Sequence, residues 1–128
     1  MGISVFEPTP VIAAVPMTAL PLANGWVNYV DGGWQTAFYL RDSLGWVEVG
    51  GLIKSGTMGS AVTVGNLPAG FRPPANRGFV CSVRYTSGGN TEQRMNVLPT
   101  GEIKIDFPPA GATNDFLFLD GIRFLAAL

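Results

Sequence analysis

The chain has 128 residues, 47% of them hydrophobic and only 13% charged, a length that buries the core of one domain without disulfides or metals. Its 8 basic and 9 acidic side chains give a net charge of −1 and form no basic stripe, which excludes the usual electrostatic footprint of a nucleic-acid-binding protein. With no histidine and one cysteine, Cys/His zinc sites, Ser-His-Asp triads and intrachain disulfides are excluded by inventory.

Residues 1–23 differ in kind from the rest. Apolar side chains such as Val5, Phe6 and Val15 occur without alternation and are interrupted by Pro8, Pro10, Pro16 and Pro21, which favour extended or polyproline II backbone and break any membrane helix. Without a basic leading region, this segment reads as neither a signal peptide nor a membrane span. It reads as an extended arm that is stable only against this domain's own sheet, a sister subunit or a larger assembly. An attachment or oligomerisation role is preferred, carried by Val5, Phe6, Pro8, Pro10, Val15 and Pro16.

The remainder, residues 24–128, reads as one head domain. Helical periodicity is almost absent, and 17 glycines and 10 prolines punctuate short runs rich in β-branched and aromatic residues. Strands are predicted over 26–30, 36–41, 45–54, 61–64, 78–85, 91–98, 102–107 and 115–125. Turn residues separate them at Asp31-Gly32-Gly33, Asp42-Ser43-Leu44-Gly45, Ser87-Gly88-Gly89-Asn90 and Pro99-Thr100-Gly101. Gly50 and Gly51 remove the side chain from both faces of the third run, so one bent strand turning a corner, or admitting a neighbouring backbone, is expected there. The proline-rich connection from Leu67 to Arg77 is expected to cross between sheets. These features predict an all-β fold, an antiparallel, jelly-roll-like β-sandwich.

Candidate sites are sparse. The carboxylates fall mostly in turns or on solvent-facing positions, and neither Asp31-Gly32-Gly33 nor Asn114-Asp115 has the spacing of a calcium loop, so no enzyme, metal or cofactor is expected. Cys81 shares a face with Phe79 and Val83 and reads as a buried structural thiol. Saccharide binding needs an aromatic face and hydrogen-bonding side chains on loops of a rigid scaffold. Trp34, behind a glycine turn, either serves that purpose or caps the core. The polar hairpin from Tyr85 through Ser87 and Asn90 to Gln93 is either a second contributor or an ordinary solvated turn. Trp26 and Trp46 belong to sheet faces. Arg72, before Pro73-Pro74, and Arg123 are the cations expected to be partly buried, with Asp42, Asp106 and Asp120 as candidate partners.

The order Leu22-Ala23-Asn24-Gly25-Trp26, Ala37 to Asp42, Gly45 to Thr57 with its glycine pair, Leu67-Pro68-Ala69-Gly70-Phe71-Arg72-Pro73-Pro74 and Leu119-Asp120-Gly121-Ile122-Arg123-Phe124 resembles the C-terminal head domains of phage tail-fibre and baseplate receptor-binding proteins. The resemblance covers residue 22 to the C-terminus. It implies a β-sandwich that forms a homotrimer, belongs to the virion and presents loops to host-surface glycans without chemistry of its own. It also marks Gly50, Gly51, Arg72, Pro73 and Gly121 as structural positions. The apolar arm stands where such heads usually carry a fibrous shaft, so a stand-alone virion component is expected, joined to other virion proteins through the arm. A capsid decoration or head-fibre protein plugged in by its arm, with a purely structural role, is the alternative.

Overall fold

The computed structural model describes residues 14–128, so Val5, Phe6, Pro8 and Pro10 of the expected arm lie outside the described residues. Eleven strands are present among them. The first six are β1 (Thr18–Ala19), β2 (Val27–Asn28), β3 (Phe38–Arg41), β4 (Trp46–Gly50), β5 (Leu52–Lys54) and β6 (Thr63–Asn66). They are followed by β7 (Arg77–Tyr85), β8 (Asn90–Val97), β9 (Glu102–Asp106), β10 (Ala112–Phe118) and β11 (Ile122–Leu125). A four-stranded sheet has the order β1-β3-β4-β11 and a seven-stranded sheet the order β2-β5-β10-β7-β8-β9-β6. Every pairing is antiparallel, and the fold is the expected all-β sandwich.

Period-2 alternation sorts each strand into an inner and an outer face. In β9, Ile103 and Ile105 are buried while Glu102, Lys104 and Asp106 face outward. Val47, Val49 and Phe124 from one sheet meet Ile53, Val83, Met95 and Leu117 from the other in a single apolar core. At the sheet edge, Glu102 accepts hydrogen bonds from Thr63 and Thr100, both at 3.2 Å, and pairs with Lys104 at 3.1 Å. Led by the Lys104 contact, these donors hold its carboxyl below the usual glutamate range.

The glycine pair is the corner between the two sheets. β4 belongs to the four-stranded sheet and β5 to the seven-stranded one, with only Gly51 between them. Gly51 has φ +108°, and a Cβ there would lie 2.5 Å from Ala37 Cα, so any side chain would strike fixed backbone. A second corner lies beside it. Residues 115–125, expected as one strand, divide at Leu119-Asp120-Gly121 into β10 and β11, which sit in different sheets. The two corners are tied together: Leu119 N–H donates to Gly51 O at 2.8 Å, and Gly51 N–H donates to Asp120 Oδ1 at 3.0 Å.

Two further expectations are corrected. The connection from Leu67 to Arg77 does not cross between sheets, because β6 and β7 lie in the same one. Pro68, Pro73 and Pro74 have no N–H to offer a ladder, and the segment instead packs on β3: Phe71 meets the Tyr39 ring edge-on at 4.8 Å, and Arg41 donates to Gly70 O at 2.6 Å. The boundary expected between residues 23 and 24 also falls inside the sandwich. Thr18 and Ala19 pair with Tyr39 and Phe38, Leu20 is buried in the core, and Leu22 bridges to Gly65, because an apolar run of this kind is stabilised by the nearest open sheet edges. Val15 and Pro16 are exposed ahead of β1.

Candidate functional site

The outer face of the seven-stranded sheet carries an aromatic cluster at its β2-β5-β10-β7 side. Gly32 and Gly33 adopt positive φ in the turn after β2 and fold the chain back over the sheet. The returning loop is clamped on both sides of one residue, since Tyr29 N–H donates to Leu52 O at 3.0 Å and Leu52 N–H donates to Gln35 O at 2.9 Å. This clamp lays Trp34 over Leu52, burying the leucine while more than half of the tryptophan, 54%, stays in solvent. The indole meets the Phe118 ring edge-on at 5.3 Å.

β10 supplies the floor. Leu117 and Leu119 point into the core, so alternation sends Phe116 and Phe118 outward. Phe116 packs edge-on against Tyr29 at 5.0 Å, and the Arg84 guanidinium lies 5.7 Å from its centroid. Lys54 Nζ sits 5.3 Å from the Tyr29 ring. Trp34, Leu52, Arg84, Asn90, Phe116 and Phe118 enclose an open cavity of about 200 Å³ with no carboxylate, hydroxyl or thiol in its lining. It offers exposed aromatic surface, a planar cation and a carboxamide, groups of the kind that bind a neutral or polar ring.

Of the residues singled out from the sequence, Trp34 and Asn90 are brought together in this cavity. Ser87 is exposed at the tip of the adjacent hairpin. Tyr85 is not in the cavity, because its half-buried ring packs on Gly111, where an added Cβ would come within 2.7 Å of it. Gln93 is corrected outright: it is fully buried on the inner face, where its Nε2 donates to Arg94 O at 2.9 Å and Asp106 O at 3.1 Å. Asn90 and Gln93 are an odd number of residues apart, so one strand must send them to opposite faces. The residues that sequence reasoning passed over are Tyr29, Lys54, Arg84, Phe116 and Phe118. The available signal was the run Phe116-Leu117-Phe118-Leu119, apolar on both faces, which demands something apolar outside the sheet as well as inside it.

The structural positions fall as follows. Arg72 Nε donates to Leu67 O at 2.9 Å and Pro73 is buried, while Gly121 has φ +104° at the second corner. Arg123 is exposed, its guanidinium 4.7 Å from the Trp46 ring centroid. None of the expected carboxylate partners pairs with either arginine among the described residues. Asp106 pairs with Arg94 at 3.0 Å, Asp120 caps Gly51, and Asp42 accepts from Leu44 and Trp46 within its own turn. Trp26 is buried and donates from Nε1 to Thr57 O at 3.1 Å.

Cys81, on β7 between β10 and β8, is buried on the inner face of the sheet, and burial, reinforced by the negative Asp120, pushes its thiol up to about 12. The folded state therefore holds this proton more tightly than the unfolded chain does. The sign follows: the fold loses stability as pH rises from the ordinary thiol range near 9 towards 12, and nothing is lost below it. At pH 8, alkylation by iodoacetamide is expected to be on the order of a thousandfold slower in the native protein than in urea. Equal rates would show an accessible thiolate.

No family model matches the chain, and no curated protein matches it. The similar solved structures include two phage proteins. The receptor-binding protein gp15 of Listeria phage PSA aligns with a TM-score of 0.71 at 22% identity, over 90% of this chain and 67% of that one. The head domain of the lactococcal phage bIL170, described as a receptor-binding domain, aligns with a TM-score of 0.51 at 18% identity, over 89% of this chain and all of that one. The chain has the fold of the phage receptor-binding head domain.

Proposed function

We propose that this chain is a non-enzymatic virion component that recognises a saccharide on the host surface through the Trp34–Phe118 cavity. The observation that carries this reading is the exposed indole held over an outward-facing aromatic floor, in a fold otherwise seen in phage receptor-binding proteins. The apolar C–H face of a sugar packs on Trp34, while Arg84 and Asn90 supply hydrogen bonds to ring hydroxyls. A glycosidase would need two carboxylates flanking the bond, and the cavity is lined by none.

In this reading three copies act together, so that weak single-site affinity becomes firm attachment to a repetitive surface. The arm, including Val15 and Pro16, joins the sandwich to other virion proteins, with the phage tail as its place. The capsid-decoration alternative draws no support from either structural neighbour.

The test is a pull-down on purified cell walls from Listeria and Lactococcus strains together with a glycan array. Wild-type protein is expected to be retained by at least one wall or glycan, and Trp34→Ala to weaken that retention about tenfold when both are compared well below the variant's melting temperature, which falls somewhat because Leu52 and Phe118 lose their cover. Binding that survives both Trp34→Ala and Phe116→Ala would place the site elsewhere. Release of sugar from the retained material would overturn the non-enzymatic reading.

A further inference from the structure

A second hollow lies on the same outer face as the aromatic cavity. Cys81, Val83, Gln93 and Met95 are buried, so alternation turns Gly78, Val80, Ser82 and Arg84 of β7 outward, and the register sets them opposite Asn96, Arg94, Glu92 and Asn90 of β8. Arg84 and Asn90, at one end of this double row, line the Trp34 cavity. Gly78, Val80 and Arg94, at the other end, join Phe79 in lining a hollow of about 280 Å³. About 13 Å of strand separates Arg84 from Val80, longer than a single sugar ring, and Ser82 and Glu92 stand between them.

This hollow opens where β10 leaves the sheet. Pairing of β10 with β7 ends at Phe118 and Ser82, and the chain then turns through Leu119-Asp120-Gly121 into the other sheet. Gly78 and Val80 direct their backbone N–H and C=O groups to the vacated side, because Phe79 and Cys81 are the residues bonded to β8. Nothing in the fold requires a glycine at position 78. It is not at positive φ, and an added Cβ would meet only the far ends of Arg94 and Asn96, at 3.4 and 3.5 Å. The missing side chain leaves a trough floored by Val80, 63% exposed, beside an Arg94 whose Nε is held by Asp106 at 3.0 Å.

Charge and shape select what can lie there. Arg94 is paired with Asp106, and Arg84 and Glu92 offset each other, so the row has no net charge to attract a polyanion. A peptide strand adding to β7 would find two residues of free edge, too few for a ladder. Sugar hydroxyls are matched by Ser82, Glu92, Asn96 and the free backbone groups, and the C–H face of a ring by Val80.

We propose that a neutral saccharide chain runs along β7 and β8 from the Trp34 cavity to the Gly78–Val80 trough, so that the ligand is a linear run of several sugars and not one terminal sugar. The assignment rests on the saccharide reading above and names the class of ligand that it takes.

Calorimetric titration of the full chain tests it, with oligosaccharides of increasing length cut from the wall or array glycan that retains the protein. Affinity is expected to rise about tenfold from the shortest to a chain that reaches Val80, and to change little between low and physiological salt. Gly78→Val and Val80→Glu, both at exposed positions, are each expected to weaken the longest chain about tenfold and to leave the shortest, and the circular dichroism spectrum, unchanged. Trp34→Ala is expected to weaken ligands of every length. Binding indifferent to Trp34→Ala would overturn the cavity reading and this one with it. Trp34-dependent binding that gains nothing with length, or whose gain survives both β7 variants, would overturn only the path assigned here. An anionic ligand, or affinity falling steeply with salt, would overturn its neutral character.

Discussion

Replacing Gly51 with alanine is expected to destabilise the protein by about 3–5 kcal/mol, a large share of the stability of a domain this size. Two effects act together. The residue sits at φ +108°, where an L side chain is strained, and the new Cβ would lie within 2.6 Å of Ala37 N and Thr36 C, backbone that cannot rotate away. Relief would require moving the start of β3, and with it the corner held by Leu119 and Asp120. Gly51→Val, which adds two further methyl groups, is expected to prevent folding or assembly. Gly70→Ala separates the two effects, because Gly70 has φ +90° but nothing within 4 Å of the position of a Cβ. Its cost is expected to be about 1 kcal/mol, from conformation alone. Urea unfolding measures both variants, and equal midpoints would show that the corner is not sterically closed.

Phe124→Ala is expected to cost about 3–5 kcal/mol, with a correspondingly lower melting temperature. Phe124 is the largest fully buried side chain, carried by β11 opposite Val47 and facing Phe79 of β7 across the sandwich at 6.3 Å. Its removal opens a cavity between two sheets whose hydrogen-bonded ladders resist collapse, so the transfer and cavity contributions add. Val80→Ala is the control, being 63% exposed on the other side of β7, and is expected to change stability by about 0.5 kcal/mol or less. A Phe124→Ala loss no larger than the control's would mean that the sheets do not pack across this residue.

The legible part of the site was the part encoded locally. Trp34 follows two glycines in a turn, which left a bulky aromatic two places to go, out from the sheet surface or onto the core, and marked the residue without choosing between them. Asn90 was legible as the end of a hairpin turn. Phe116 and Phe118 were not, because Phe116-Leu117-Phe118-Leu119 presents the same alternation whichever pair faces inward. Gln93 was misplaced for the same reason: polarity assigned it to the solvent, but Met95 and Val97 on its own face draw that side of β8 into the core, and the glutamine follows.

Sequence alone determined the secondary-structure class, most strand positions, the hairpin turns and the shape device at Gly50-Gly51, because each depends on backbone conformation and on side-chain preferences within a few residues. The tertiary structure alone decided that residues 115–125 divide between two sheets, that the connection from Leu67 to Arg77 begins and ends in the same sheet, and that residues 18–22 belong to the sandwich. It also decided which face of β10 is wet, and so where the cavity lies. Those outcomes turn on which distant strand supplies the next ladder of hydrogen bonds, and a period-2 pattern carries no information about its partner.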